Sequence, residues 1–366
     1  MARHARTVVV TVLALGLMAF FLRNANLQRV WGELGSARPD LLAAAGVLAF
    51  ASYLLRAERW RRLLRPVGRA SFRATLRATV IGFAANTLLP GRLGELARPY
   101  VLARREHLSV AAVFATSVIE RLLDLLVMCL VFSVLVTFVG PQASARSNDL
   151  LVALTTFALV AGLLAVAGFG IMLGAAADPE RAGRGARRLL SRLPHRWMER
   201  FAATVQRFLE AVAATRGRGP LGTALAWSFP IWASVAASLW CASRAFGIDV
   251  HLTGAAILMT LAVVGVAVPT PGGVGGYHAA YQLGATTLYG ASAEQAVGAA
   301  LVLHLLWFGP VTALGLVFMA RDGMHLAGLR SLVRRDAATP AAAAAAGMSG
   351  VGAAPRPAGA EERRAS

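Results

Sequence analysis

The chain has 366 residues, 57% of them hydrophobic and only 15% charged, and its mean hydropathy is +0.60. A soluble domain carries about a quarter charged residues, and a β-barrel would show short alternating segments; long apolar runs point instead to an all-α, polytopic membrane protein. The formal net charge of +19 comes from 37 basic residues, all arginine and clustered between apolar runs, which is the pattern of membrane topology. No recognition module accompanies it, so no nucleic-acid partner is expected.

In chain order, residues 1–40 read as an N-terminal anchor helix and an outer loop. The run 7–22 is long for the core of a signal peptide and no small-residue cleavage site follows it, so an uncleaved first helix is expected. An apolar span at 41–55 leads into an arginine-rich stretch, 56–77, assigned as a cytoplasmic loop. Residues 92–106 are basic as well, and the apolar segment between, 78–90, is too short to cross and return. A re-entrant hairpin over 78–106, entering from the cytoplasm and turning at Pro90-Gly91, satisfies both loops. Broken backbone at membrane depth is tolerated only inside protein or beside a wet cavity, so the hairpin marks a cavity. The span at 110–139 closes this first repeat, 41–139.

A connecting transmembrane helix occupies 140–177. The linker 178–219 holds ten arginines, and its apolar positions, among them Leu189, Leu190, Leu193, Trp197, Phe201, Val205, Phe208 and Leu209, recur at steps of three and four. It reads equally as an amphipathic helix on anionic headgroups or as a solvated helix packed on the protein. A span at 220–243 follows. Residues 252–289 are apolar but broken by PTPGGVGG at 269–276, and must make an even number of crossings. They form either a second hairpin, entering from outside, or a pair of full helices, and the Gly/Pro break favours the hairpin. A final span at 295–319 completes the second repeat, 220–320, and the tail 321–366 is low-complexity and expected to be disordered. Cys129 and Cys241 both lie in apolar runs and give no disulfide framework.

The two breaks align. PGRLGELARPYVL (90–102) matches PGGVGGYHAAYQL (271–283) at Pro, Gly, Gly, Tyr and Leu with an offset of 181, and the same offset carries 41–55 and 110–139 onto later spans. The charge bias of the two halves is opposite. The expected architecture is therefore about six full transmembrane helices plus two opposed re-entrant helical hairpins in an inverted-topology repeat, the pattern that points to a midplane site in transporters.

Candidate site residues follow from that frame. Glu120 lies about ten residues into its span, roughly 15 Å deep. Glu120 and Asp124 share a helix face, and Arg121 can pair with Asp124. Ionisable groups at such depth read as functional, with a structural ion pair as the alternative. Arg92 and Arg98 at the mouth of the first hairpin suit bidentate phosphate contacts, and Glu95 suits the first turn of a helix; the alternative for all three is topology alone. In the second break, Pro271, Gly272, Gly273, Gly275 and Gly276 expose backbone to a cavity, and a helix starting after Gly276 would offer its N-terminus to an anion; the alternative is a tight loop serving only packing. Tyr277 and His278 would line the same site. Asn86 either binds a headgroup or caps a broken helix. His251, His304 and Trp307 read as satisfied or interfacial residues. No cluster has metal-ligand spacing, and no nucleotide or nucleophile motif is present, so neither metal nor cofactor is expected.

Together these segments resemble the flippase-like transmembrane domain of lysylphosphatidylglycerol synthases and its stand-alone relatives. The matching pieces are RWRRLL (59–64), the run from Asn86 through PGRLGE to Leu102, the Glu120, Arg121 and Asp124 group, and PTPGGVGGYHAAY (269–281). The resemblance implies a non-enzymatic translocator of a membrane phospholipid or polyprenyl-phosphate lipid in the cell (inner) membrane, and Arg3, Arg6, Arg321, Arg330, Arg334 and Arg335 place both termini in the cytoplasm. In the full synthases a cytoplasmic aminoacyl-transferase domain follows; here the chain runs into the low-complexity tail, so no transferase activity is expected. Two other classes remain open: an accessory scaffold for a glycosyltransferase or envelope-synthesis enzyme, and a membrane enzyme acting on a polyprenyl-phosphate lipid through Glu120 and Asp124.

Overall fold

A computed structural model of the chain describes residues 16, 21, 25–89, 92–139, 148–189, 191, 195–215, 218–267 and 270–324. The expected first helix over 7–22, apart from Gly16 and Phe21, lies outside them, as do Pro90, Gly91 and the tail from 325 on. Among the described residues all regular structure is helical, with no strand. The helices are α1 (Leu27–Ser36), α2 (Pro39–Leu63), α3 (Phe72–Leu88), α4 (Gly94–Arg105), α5 (Val110–Val139), α6 (Asn148–Ala175), α7 (Pro179–Leu189), α8 (His195–Thr215), α9 (Arg218–Ala245), α10 (Leu252–Ala267), α11 (Gly276–Tyr289) and α12 (Ala293–Arg321). Among the described residues four stretches are long and apolar enough to cross a membrane: Pro39–Leu63, Thr155–Ala175, Gly219–Ala245 and Ala293–Arg321. The chain is a multi-pass membrane protein.

Helix ends follow local chemistry. The Asn26 side chain accepts from the amides of Gln28 and Arg29, and Pro39 opens α2, where a missing N–H is harmless. Ser71 caps α3 through the Ala74 amide and is itself held by Glu106, which accepts from both its N–H and its hydroxyl. Ser292 and Gln295 form a reciprocal cap on α12.

One boundary differs from the sequence reading. Arg56, Arg59, Arg61 and Arg62 were expected in a loop over 56–77, but α2 runs through all of them to Leu63 and α3 starts at Phe72. Arginine is a good helix former, and two of the four turn inward: Arg56 and Arg59 are buried. Only Arg61 and Arg62 face outward, both bonded to Glu58 one turn back. The connection is correspondingly short, residues 64–71.

α2 and α9 pack along one another at the centre. Small residues permit the approach, and hydroxyls join the helices: Ser234 donates to the Leu48 carbonyl at 2.7 Å and Ser238 to that of Ala45 at 2.8 Å. α3 lies on α4 and on α12; α10 lies on α11 and on α5. Two glycine contacts close these pairs. A Cβ on Gly94 would sit 1.9 Å from the Gly82 carbonyl oxygen, and one on Gly265 would sit 2.3 Å from that of Gly276. α8 buries Ala202, Leu209 and Val212 against the protein, while Phe201 stays 54% exposed. Leu190, Leu193 and the Trp197 side chain lie outside the described positions.

Candidate functional site

α5 carries Glu120 and Asp124 four residues apart on one buried face, 0% and 5% exposed. α2 brings Arg59 to both. Its guanidinium meets Asp124 through two bonds, Nη1 to Oδ1 at 2.6 Å and Nη2 to Oδ2 at 3.1 Å, and reaches Glu120 Oε1 from Nε at 3.4 Å. The same Nη1 donates to Ser228 Oγ on α9 at 2.7 Å. Also from α9, the Trp232 indole N–H donates to Asp124 Oδ1 at 3.2 Å. Arg56, one turn before Arg59, stands 3.4 Å from Asp124 Oδ2 and lies over the Trp232 ring. Three helices are thus pinned at one carboxylate, the arrangement that makes a buried charge tolerable.

α4 supplies the other side. Arg98 is buried, stacks on Trp60 with its guanidinium carbon 3.9 Å from the ring centroid, and puts Nη1 2.9 Å from Glu120 Oε2. Trp60 is fixed in turn by its indole N–H, which donates to Thr116 Oγ1 at 3.0 Å. Among the described residues the Nε and Nη2 of Arg98 are buried with no hydrogen-bond partner, and Glu120 Oε2 accepts no well-aligned bond either. Buried groups of this kind are normally satisfied, so donors and an acceptor are left available at one point.

The cluster grades outward. Glu95, in the first turn of α4, accepts from Asn86 Nδ2 at 3.2 Å and from Arg121 Nε at 3.1 Å. The Arg121 and Glu95 side chains are 40% and 35% exposed, against 1% for Arg59 and Glu120. Arg121 also stands 3.7 Å from Asp124 Oδ2. Across the whole group four guanidinium groups (Arg56, Arg59, Arg98, Arg121) face three carboxylates (Glu95, Glu120, Asp124).

Of the residues expected from sequence, the structure brings together Asn86, Glu95, Arg98, Glu120, Arg121 and Asp124. Asn86 neither caps a helix nor stands free; it ties α3 to Glu95. Arg92 is placed apart. It takes a left-handed backbone conformation, φ 53°, and its Nη2 donates to the Val266 carbonyl at the end of α10 at 2.5 Å. Pro271, Gly272 and Gly273 form a single tight turn between α10 and α11, and a Cβ on Gly272 would lie 3.4 Å from Thr87 near the end of α3. Gly275 and Gly276 start α11, and the Gly275 N–H donates to His278 Nδ1 at 3.3 Å.

Tyr277 and His278 belong to a second, neutral group. His278 stacks on His304 with ring centroids 4.7 Å apart; Tyr277 abuts His304 and Trp307, and Phe21 abuts His278. The Tyr277 hydroxyl and His304 Nδ1 are buried without hydrogen-bond partners among the described residues. His304 and Trp307 are thus packed as expected, although the His304 ring is only partly satisfied. No hydrogen bond or ion pair joins this group to the charged one among the described residues. Sequence reasoning missed Arg56, Arg59, Ser228 and Trp232 as site residues. The signal for the arginines was present in their three-residue spacing, which puts them on one face of a continuing helix.

A multi-pass helical protein with a buried Arg–carboxylate cluster between α2, α4, α5 and α9 is the class that fold and site define. The family described as Lysylphosphatidylglycerol synthase TM region matches residues 7–315, and the chain belongs to it. It is also similar to Glycosyltransferase AglD of Haloferax volcanii, 28% identical over 323 residues, 81% of this chain and 50% of that protein. The chain spans about half the length of this relative.

Proposed function

We propose that the protein moves a phosphate-bearing lipid between leaflets, acting as a translocator and not through covalent chemistry. The observation that carries this is the cluster's surplus: four guanidinium groups against three carboxylates, with two buried Arg98 donors unpartnered. One singly charged phosphodiester would neutralise the group and complete Arg98, and planar guanidinium suits phosphate oxygens. The headgroup enters where the pairs are most exposed, at Arg121 and Glu95, and passes to Arg98 while the acyl chains stay in lipid. Glu120 and Glu95 hold the arginines when no headgroup is present, so each step exchanges a carboxylate for a phosphate. A membrane phospholipid fits this balance better than a diphosphate lipid.

The architecture proposed with it is the inverted repeat of two opposed hairpins, with about six full spans around them. Several features support it. Packing pairs match across the halves: α3 with α12 and α10 with α5, each hairpin with its own following helix, and α2 with α9 between them. The hairpin helices have 17, 12, 16 and 14 residues, about 18–26 Å long at 1.5 Å per residue, short of the ~30 Å hydrocarbon core. Each hairpin closes on a glycine-to-carbonyl contact, and their tips meet through Arg92 with Val266 and Gly272 with Thr87. On this reading the protein lies in the cytoplasmic membrane with both termini cytoplasmic. The units are 1–40, the repeats 41–139 and 220–320, the connecting helix 140–177, the linker 178–219 and the tail 321–366.

The test is leaflet exchange in proteoliposomes of labelled phosphatidylglycerol and of a polyprenyl-phosphate lipid. Wild type should exchange phosphatidylglycerol, and Arg98→Gln and Glu120→Gln should remove that exchange while the purified variants stay monodisperse. Exchange of neither lipid by wild type, or wild-type rates in both variants, would overturn the proposal. A second reading has one observation in its favour: the relative over whose half-length the chain matches is named a glycosyltransferase. The chain would then serve as the membrane partner of an envelope-synthesis enzyme, docking through the exposed arginines of α7.

A further inference from the structure

A second basic site lies away from the buried cluster, on the connection between α2 and α3. A cavity of about 430 Å³ opens there, lined by Arg61, Arg65, Gly68, Arg69 and Ala70. Three arginines therefore line one concave surface. The carboxylates of the segments packed around it are occupied. Glu58 accepts from Nε and Nη2 of Arg61 and from Nε of Arg62, and Glu106 accepts from Ser71. Arg65 and Arg69 form no ion pair among the described residues. The backbone adds to this. The Gly68 N–H is used within the turn, bonded to the Leu64 carbonyl at 2.9 Å, whereas the N–H groups of Arg69 and Ala70 meet no acceptor among the described residues.

The turn that presents these groups is built to stay in place. Gly68 lets Leu108 approach so closely that a Cβ there would lie 2.3 Å from its Cδ2. Ser71, capping α3 and held by Glu106, fixes the far end. Arginine serving only to orient a membrane protein needs no cavity and no preset turn, because the topology rule counts charges and not their arrangement.

We propose that this cavity is a binding site for a phosphate group, presented either by an anionic lipid headgroup or by a free phosphate compound. Arg65 and Arg69 are its principal ligands, Arg61 contributes the hydrogen-bonding edge that Glu58 leaves free, and the Arg69 and Ala70 amides close the cradle. The site is separate from the buried cluster: Arg59 points inward from α2, and Arg61 and Arg65 follow on the outward side. It stands whether or not the protein translocates lipid.

The experiment uses the full chain in nanodiscs of phosphatidylcholine, with two probes. Inorganic pyrophosphate is titrated by calorimetry, and nanodiscs doped with phosphatidylglycerol are scored for protein-bound lipid by native mass spectrometry. Arg65→Gln with Arg69→Gln is compared with wild type and with Arg29→Gln, a distant exposed arginine. Both target positions are exposed and unpaired, so the double variant should fold. The expected result is a loss of about tenfold or more in affinity for one probe, as removal of charge-assisted bonds predicts, with Arg29→Gln unchanged. Loss confined to pyrophosphate assigns a free phosphate ligand, and loss confined to phosphatidylglycerol assigns a headgroup. If the double variant binds both probes as wild type does, or wild type binds neither, the proposal is overturned.

Discussion

Beside α3 and α4 the neighbouring helices set Arg56, Arg59, Glu120 and Asp124; beside α10 and α11 they set His304, Trp307 and Phe308. The two helix pairs are alike in construction. Each closes where a glycine meets a carbonyl oxygen, each is short, and each packs on a helix of the other half. They differ in what surrounds them, charges in one case and neutral rings in the other. Backbone plan and chemistry are therefore specified separately. Glycine and small residues set how closely the helices approach, while a few long side chains decide what the resulting space can hold. Among the described residues buried charge is confined to one half, because a buried guanidinium needs a carboxylate within reach and α5 supplies two on one buried face.

The largest effect that separates the halves is expected at Arg59. Arg59→Gln removes the partner shared by Asp124 and Glu120 and the link to Ser228. Leaving buried carboxylates short of a cation costs about 3–5 kcal/mol. Thermal unfolding in detergent should show a clear fall in the midpoint, and Arg59→Lys should recover only part of it, since an ammonium cannot make the paired contact. A variant melting like wild type would mean that the cluster does not hold α2, α5 and α9 together.

The next effect concerns what the halves share. Gly94→Ala would press a methyl group into the Gly82 carbonyl, and Gly265→Ala into that of Gly276. Overpacking against backbone costs typically 1–3 kcal/mol, and because neither carbonyl can swing aside as a side chain would, both values should be near the upper end. Similar destabilisation of the two variants would match two equivalent pairs. A large effect at Gly94 with none at Gly265 would show that only the charged half requires close approach.

Much of this was legible in the sequence, for reasons that differ by residue. Glu120, Arg121 and Asp124 stood out because charge inside a long apolar run is costly and is kept where it pairs or acts. The matched Pro/Gly breaks were visible because tight turns restrict residue type. Arg56 and Arg59 were hidden by their setting: an arginine at the end of a span looks the same whether it faces water or a buried carboxylate, and only the packing of α5 decides. Ser228 and Trp232 carried no signal, since a small residue and an aromatic one in an apolar helix are ordinary lining. Arg92 read either as a phosphate ligand or as a topology charge; its backbone is left-handed and its Nη2 donates to the Val266 carbonyl. The start of α3 was missed because Arg73 and Arg77 interrupt the hydropathy, although the Ser71 cap marked it; Arg77 pairs with Asp322 at the end of α12.

The smallest effect is expected in the neutral half. Tyr277 is fully buried and its hydroxyl has no hydrogen-bond partner among the described residues. An unpartnered buried hydroxyl is unfavourable by about 1–3 kcal/mol, so Tyr277→Phe should leave the unfolding midpoint unchanged or raise it slightly. A fall would mean that the hydroxyl is bonded in the folded protein. If stability holds while leaflet exchange slows, the hydroxyl meets its partner only during transport, which would explain why an unfavourable group is kept beside His304 Nδ1, another buried atom without a partner. If stability and exchange both hold, the rings of the second half act as packing alone, and transport chemistry rests with the arginines and carboxylates of the first.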